Sequence, residues 1–240
     1  MRILCYAAAL LLIRGSVILQ AADENPPASH ADVETIVFLR HGEKPPGGLG
    51  QLTCQGLNRA LALPSVLISK FGKADYVFAP GPEGKVTEGG LREFEYIRPL
   101  ATIEPTAIRL GLPVFTDFRY KDIVGLQHEL TKQQYHKALI FVAWEHYELA
   151  QMVKNLVGAF GGNPAEVPEW PGDDYDSLYV LRISDTGPKK LISFSHDHEE
   201  LTHLSPDCPQ GAASEQIVSP RSVACSQAAI SLAPMPLQWR

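Results

Sequence analysis

Thr35-Ile36-Val37-Phe38-Leu39-Arg40-His41-Gly42-Glu43-Lys44 is the stretch on which the fold turns. Residues 35–39 form a short, β-branched and apolar run with the length of a strand buried on both faces, as inside a parallel sheet. The run breaks at once into Arg40 and His41, and open α/β sheets bind their ligands outside such carboxyl strand ends. The pattern recurs downstream, where Ala138-Leu139-Ile140-Phe141-Val142-Ala143 leads into Trp144-Glu145-His146. Two histidines therefore each leave a buried strand at the same functional edge. An arginine precedes the first and a carboxylate precedes the second.

The segments between and around these runs alternate in type. Leu52 to Phe71 reads as a helix that Thr53 can cap, with Leu57, Ala60, Leu61 and Leu67-Ile68 at helical spacing. Ala74 to Ala79 is a second strand, followed by a Gly/Pro loop through Gly90. Leu91 to Leu110 is read as mostly helical, with Pro99 and Pro105 marking a boundary or kink. Val114-Phe115 is a short strand, Leu126 to His136 a modest helix, and Glu145 to Phe160 the helix after the 138–143 strand. Leu178 to Ile183 and Leu191 to Ser195 pair around Thr186-Gly187-Pro188. Strands alternating with amphipathic helices predict a three-layer α/β/α sandwich on a mostly parallel sheet.

Composition bounds the function. The chain has 240 residues, 45% of them hydrophobic, enough for one substantial core. A net charge of −6 argues against a broad basic nucleic-acid surface. Met1-Arg2, the apolar run Ile3 to Ile13 and the small residues ending at Ala22 have the shape of a secretory signal peptide over residues 1–22. The run is shorter than the roughly 20 apolar residues of a membrane span, so no stable span is expected after cleavage. Residues 23–33 then form a linker, 34–205 the domain and 206–240 a weakly structured tail. Periplasmic or secreted placement follows from this reading. Cys5 leaves with the signal; an oxidising compartment permits a Cys208–Cys225 bridge worth ~3 kcal/mol. Cys54 reads as a small buried residue.

Further landmarks join the two strand ends. Phe38-Leu39-Arg40-His41-Gly42-Glu43 resembles the Arg-His-Gly signature of the histidine phosphatase superfamily, which includes phosphoglycerate mutases and acid phosphatases. Leu52-Thr53-Cys54-Gln55-Gly56-Leu57-Asn58-Arg59-Ala60 resembles that family's first helix. Tyr96-Ile97-Arg98-Pro99-Leu100-Ala101-Thr102 resembles the helix delivering a second arginine, and Ala143-Trp144-Glu145-His146 sits where its second histidine is expected. The resemblance covers roughly residues 34–200. It departs from the family in the loop 81–90, which replaces a serine-proline run and leaves Arg92 as a rival to Arg98. Thr102, four residues after Arg98 as in the family, favours Arg98.

The resemblance implies a phosphoglycerate mutase-like fold, a small phosphorylated substrate, and neither cofactor nor metal. The chemistry agrees: a phosphomonoester dianion needs cations around the phosphorus before a nucleophile can approach. Arg40 and Arg98 can fork onto its oxygens, with His146 as a third donor. His41, neutral at its attacking nitrogen, would form a phosphohistidine that water hydrolyses. The leaving alcohol needs a proton, for which Glu145 and Asp122 are the two candidates, Glu145 favoured by its adjacency to His146. Glu43 either shapes the pocket or faces solvent. Ser195-His196-Asp197-His198 with His203 invites a metal reading, against the plainer reading of a polar loop. Asp173, Asp174 and Asp176 read as turn chemistry. A phosphomutase and a non-catalytic phospho-ligand binder are the alternative functions.

Overall fold

The run at 35–39 lies inside the main sheet. The structure, a computed structural model, describes residues 33–90, 92–185 and 190–210. Its elements in chain order are β1 (Val33–Arg40), α1 (Cys54–Phe71), β2 (Tyr76–Phe78), β3 (Lys85–Glu88), β4 (Arg92–Glu95), α2 (Arg98–Leu110), β5 (Val114–Phe115), α3 (Ile123–Leu130), β6 (Leu139–Trp144), α4 (His146–Ala159), β7 (Ser177–Asp185) and β8 (Lys190–His198). The six-stranded sheet runs β5-β2-β6-β1-β7-β8. β5, β2, β6 and β1 are mutually parallel, and β7 and β8 close the far edge as an antiparallel pair. The proposed signal segment, the 186–188 turn and most of the proposed tail lie outside the described residues.

Alternation along the central strands builds two cores. Ile36 and Phe38 of β1, with Ile140 and Val142 of β6, pack against Leu126 of α3 and Leu149 and Val153 of α4. Val37 and Leu39, with Leu139 and Phe141, face the other way onto Leu63 and Leu67 of α1 and Ile103 of α2. All these side chains are fully buried, and each contributes roughly 1.5–3 kcal/mol of apolar burial. Two helices on each face make the three-layer α/β/α sandwich that the strand–helix alternation predicts. Among the described residues no helix is long and apolar enough to cross a membrane.

The helix expected over 91–110 is shorter, and a β-hairpin occupies the space before it. Lys85 to Glu88 pairs with Arg92 to Glu95, with Lys85 opposite Glu95 and Glu88 opposite Arg92. Gly89 and Gly90 turn the chain at φ +58° and +83°, where a side chain would be strained. Residues 92–95 form the second strand of this hairpin, with only Phe94 partly covered. The helix begins only at Arg98, with Pro99 in its first turn, where a missing N–H costs nothing.

The cysteine expectation is also corrected. Cys208 is bonded to Cys54, the first residue of α1, across a Cα separation of 4.4 Å, and so cannot pair with Cys225. The segment after β8 folds back over α1, where Asn58 Nδ2 donates to the carbonyls of Ser205 (2.9 Å) and Asp207 (2.8 Å). That return path brings Cys208 beside Cys54.

Candidate active site

β1 and β6 are parallel neighbours in register, with Arg40 opposite Trp144, so their carboxyl ends open together. The backbone N–H of His41 donates to the Trp144 carbonyl at 3.2 Å, which locks the two exits side by side. Arg40, His41 and, one and two residues past β6, Glu145 and His146 therefore emerge at one edge. Arg98 enters from the start of α2. The spacing of Thr102 has a structural cause: its hydroxyl donates to the Arg98 carbonyl (2.8 Å) and accepts from the Gly42 N–H (2.9 Å). Gly42 itself admits no side chain, since a Cβ there would lie 2.9 Å from the Gly56 backbone of α1.

His41 is 1% exposed. Its Nδ1 lies 2.7 Å from the Gly42 carbonyl. A carbonyl can only accept, so this contact places the proton on Nδ1 and leaves Nε2 with a lone pair. Burial, then the charge of Arg98, and also those of Arg40 and His146, hold the imidazole well below its usual titration range despite the Gly42 hydrogen bond. His41 is a neutral base at neutral pH.

Different partners hold the two arginines. Arg40 Nη1 donates to the carbonyls of Gly172 (2.9 Å) and Asp174 (2.8 Å), while the guanidinium stacks on Tyr175 at 3.9 Å. Burial lowers its pKa, against the charges of Tyr175 and Glu145. Arg98 Nη1 and Nη2 take the two oxygens of Glu88 at 2.8 and 2.9 Å. Nη1 also donates to the Gly48 carbonyl at 3.3 Å. The Arg98 guanidinium lies 4.7 Å from the Tyr96 ring, which meets His41 edge-on at 6.0 Å. In both arginines Nε is buried and has no hydrogen-bond partner in the protein. Both therefore keep the Nε side of the fork free. Nε2 of His146 is likewise buried and unpartnered. Three side chains thus bring unused polar atoms around the neutral imidazole of His41.

Of the two candidate proton donors, Glu145 is in this cluster. Its Oε1 lies 2.5 Å from His146 Nδ1, and its Oε2 accepts from the N–H groups of Tyr147 (2.9 Å) and Glu148 (3.0 Å), capping α4. Burial pushes its pKa up, but His146 and the helix N–H groups pull harder, and the net direction is down. Asp122 is exposed, and its carboxylate caps α3 by accepting from the Gly125 N–H at 3.0 Å.

Glu43 neither lines the site nor faces open solvent. It pairs with Arg59 of α1 at 2.8 Å, and Arg59 also meets Glu199 at 2.5 Å and Asp176 at 3.5 Å. One guanidinium thus faces three carboxyl groups, of which Glu199 is fully buried. Burial pushes Glu199 up to about 8, against the pull of Arg59. His196 accepts or donates at 2.7 Å with the hydroxyl of Ser177, and His198 lies 3.9 Å from Asp176. Among the described residues no three such ligands converge on a metal position. Asp174 is the turn residue its context suggests, accepting from the N–H groups of Asp176 and Ser177 at 2.9 and 3.0 Å. Its carbonyl also anchors Arg40, a role that periodicity cannot reveal.

Glu88, Tyr96 and Tyr175 are site residues that sequence reasoning missed. A Gly-Gly pair between two short segments was the available signal for the hairpin that carries Glu88. Arg92, the rival to Arg98, is exposed on β4.

No family profile and no curated protein matches the chain. Several solved structures are similar to it. A protein assigned as the phosphohistidine phosphatase SixA from Nakamurella multipartitia is 13% identical with a TM-score of 0.46, covering 70% of this chain and 97% of that one. A mycobacterial glucosyl-3-phosphoglycerate phosphatase, solved with inorganic phosphate, is 16% identical with a TM-score of 0.41, covering 68% and 95%. A protein assigned as SixA from Agrobacterium tumefaciens is 12% identical with a TM-score of 0.41, covering 62% and 90%.

Proposed function

We propose that this chain is an exported phosphomonoester hydrolase acting through a phosphohistidine on His41. The observation that carries the reading is the set of unpartnered buried nitrogens. Burying a polar group without a partner costs on the order of 1–3 kcal/mol, more for a charged one. Arg40 Nε, Arg98 Nε and His146 Nε2 all stand in that condition around one imidazole. A tetrahedral dianion would satisfy all three, with the arginines binding side-on.

The chemistry follows from the tautomer. His41 Nε2 attacks phosphorus while Gly42 holds Nδ1–H, and the bond from phosphorus to the leaving oxygen breaks. Arg40, Arg98 and His146 stabilise the equatorial oxygens as charge shifts. Glu145, the carboxylate beside His146, would deliver a proton to the departing alkoxide, and its lowered pKa makes it most effective at acid pH. Water then attacks the phosphohistidine, the P–N bond breaks, and inorganic phosphate leaves with His41 restored. Export is supported by the signal-like residues 1–22 and by the Cys54–Cys208 bond, which persists in an oxidising compartment.

Alkaline-quench labelling with a phosphomonoester radioactive at phosphorus tests the reading. Wild-type protein should trap an acid-labile, base-stable label and release inorganic phosphate, and His41→Ala should do neither while keeping its thermal transition. Labelling that survives in His41→Ala would remove His41 as nucleophile. Transfer of label to a second alcohol with no free phosphate would make the protein a mutase.

A further inference from the structure

The β3–β4 hairpin brings to the site a carboxylate that the reaction chemistry does not require. Glu88 sits at the end of β3, half-buried, and both of its oxygens are engaged. Oε1 and Oε2 hold Arg98 end-on at 2.9 and 2.8 Å, and Oε2 also accepts from the Gly50 N–H at 2.9 Å. Lys44 Nζ lies 3.7 Å from Oε1. The glycine loop is moulded to this carboxylate: a Cβ on Gly48 would lie 2.0 Å from the Glu88 side chain.

An arginine carries five N–H donors in two forks, one end-on and one side-on. Glu88 fills the end-on fork of Arg98, and the Gly48 carbonyl takes the remaining hydrogen of Nη1. What is left is the side-on fork, Nε with the second hydrogen of Nη2, and its Nε is buried without a partner. Arg40 is held by other means, with both Nη1 hydrogens spent on backbone carbonyls, and it too keeps its Nε. The backbone does for Arg40 what a side chain on the hairpin does for Arg98.

We infer that Glu88 is a positioning residue that holds the Arg98 guanidinium side-on to the phosphoryl group; the inference rests on the phosphatase reading of the site. The alternative roles for a carboxylate here predict the opposite sign. An anion that merely borders the site, or that competes with phosphate for Arg98, repels the substrate, so removing it tightens binding. A positioning carboxylate works against its own charge, because without it Arg98 keeps only the Gly48 carbonyl at 3.3 Å and the Tyr96 ring, and its guanidinium gains rotamer freedom.

Titration of the full-length protein with inorganic phosphate, alongside kcat and KM for p-nitrophenyl phosphate, decides the sign. Glu88→Ala should weaken phosphate binding and raise KM by roughly 10- to 100-fold, the equivalent of losing one charge-assisted contact. Glu88→Gln, which keeps the shape and one acceptor oxygen, should fold like wild type and lose about a third as much on a logarithmic scale. In an Arg98→Ala background, Glu88→Gln should change phosphate affinity by less than about twofold, since the residue then has nothing to orient. Unchanged or tighter phosphate binding in Glu88→Gln overturns the assignment while leaving the phosphatase reading intact. A full effect that persists without Arg98 overturns it as well. Failure of the wild-type protein to bind phosphate removes both.

Discussion

Replacing Glu199 by glutamine should stabilise the protein at pH 8 and leave it nearly unchanged at pH 5. Glu199 is fully buried, its Oε2 is 2.5 Å from Arg59 and its Oε1 has no partner. Glu43 and Asp176 already face the same guanidinium. Burial pushes Glu199 from the ordinary 4.5 to about 8. The folded protein therefore binds this proton more tightly than the unfolded chain does, and stability falls as pH rises from about 4.5 towards 8. At about 1.4 kcal/mol per pH unit the full interval corresponds to on the order of 5 kcal/mol, an upper bound because Arg59 relaxes with it. Glutamine resembles the protonated acid in shape and cannot lose its proton. Urea unfolding of both proteins at pH 5, 6, 7 and 8 isolates this group, because all other ionisable groups are common to both and cancel in the difference. The variant's advantage should grow steadily across that range. A flat difference, or one favouring wild type at pH 8, would mean that Glu199 is ionised throughout and that Arg59 carries three charges.

The remaining predictions address the reaction and the frame. Arg98→Ala should lower kcat/KM by roughly 10²- to 10³-fold, whereas exposed Arg92→Ala should stay within about twofold; the reverse order in steady-state assays would shift the second arginine. Glu145→Gln should slow alkyl phosphates by ~10²-fold or more but p-nitrophenyl phosphate by less than tenfold, because that leaving group barely needs a proton. Wild-type alkyl phosphate turnover should rise towards acid pH, since the Glu145 pKa is lowered and only its protonated form can donate; Asp122→Asn showing the leaving-group dependence instead would move the role there. Reducing Cys54–Cys208, which spans a separation of 154 residues, should cost up to ~5 kcal/mol in chain entropy. In thermal melts that appears as a fall of roughly 10–15 °C, and no fall would show the bond to be incidental.

The placement of Arg40, His41 and His146 was legible because each signal is local. A buried parallel strand needs an unbroken apolar run, and the residue that ends the run must stand at the sheet's edge. Arg98 was legible through Thr102, whose hydroxyl ties the α2 backbone to Gly42. The hairpin was not, because its strands are only four residues long, mostly polar and exposed, and joined by Gly/Pro-rich sequence.

What the sequence by itself determined is the layering of the sheet and which polar residues emerge from its central strands. Those properties depend on neighbours along the chain and on the burial period of each segment. The tertiary structure alone decided how the polar groups are spent. Glu88 reaches Arg98 from a separate hairpin, Asp174 holds Arg40 from 134 positions away, and Cys208 returns to Cys54 over α1. Each of these partners is set by how loops cross after the core has formed, and hydrogen-bond and disulfide geometry leaves no periodic trace in the chain. The side-on forks that remain free on the two arginines are the outcome of that crossing.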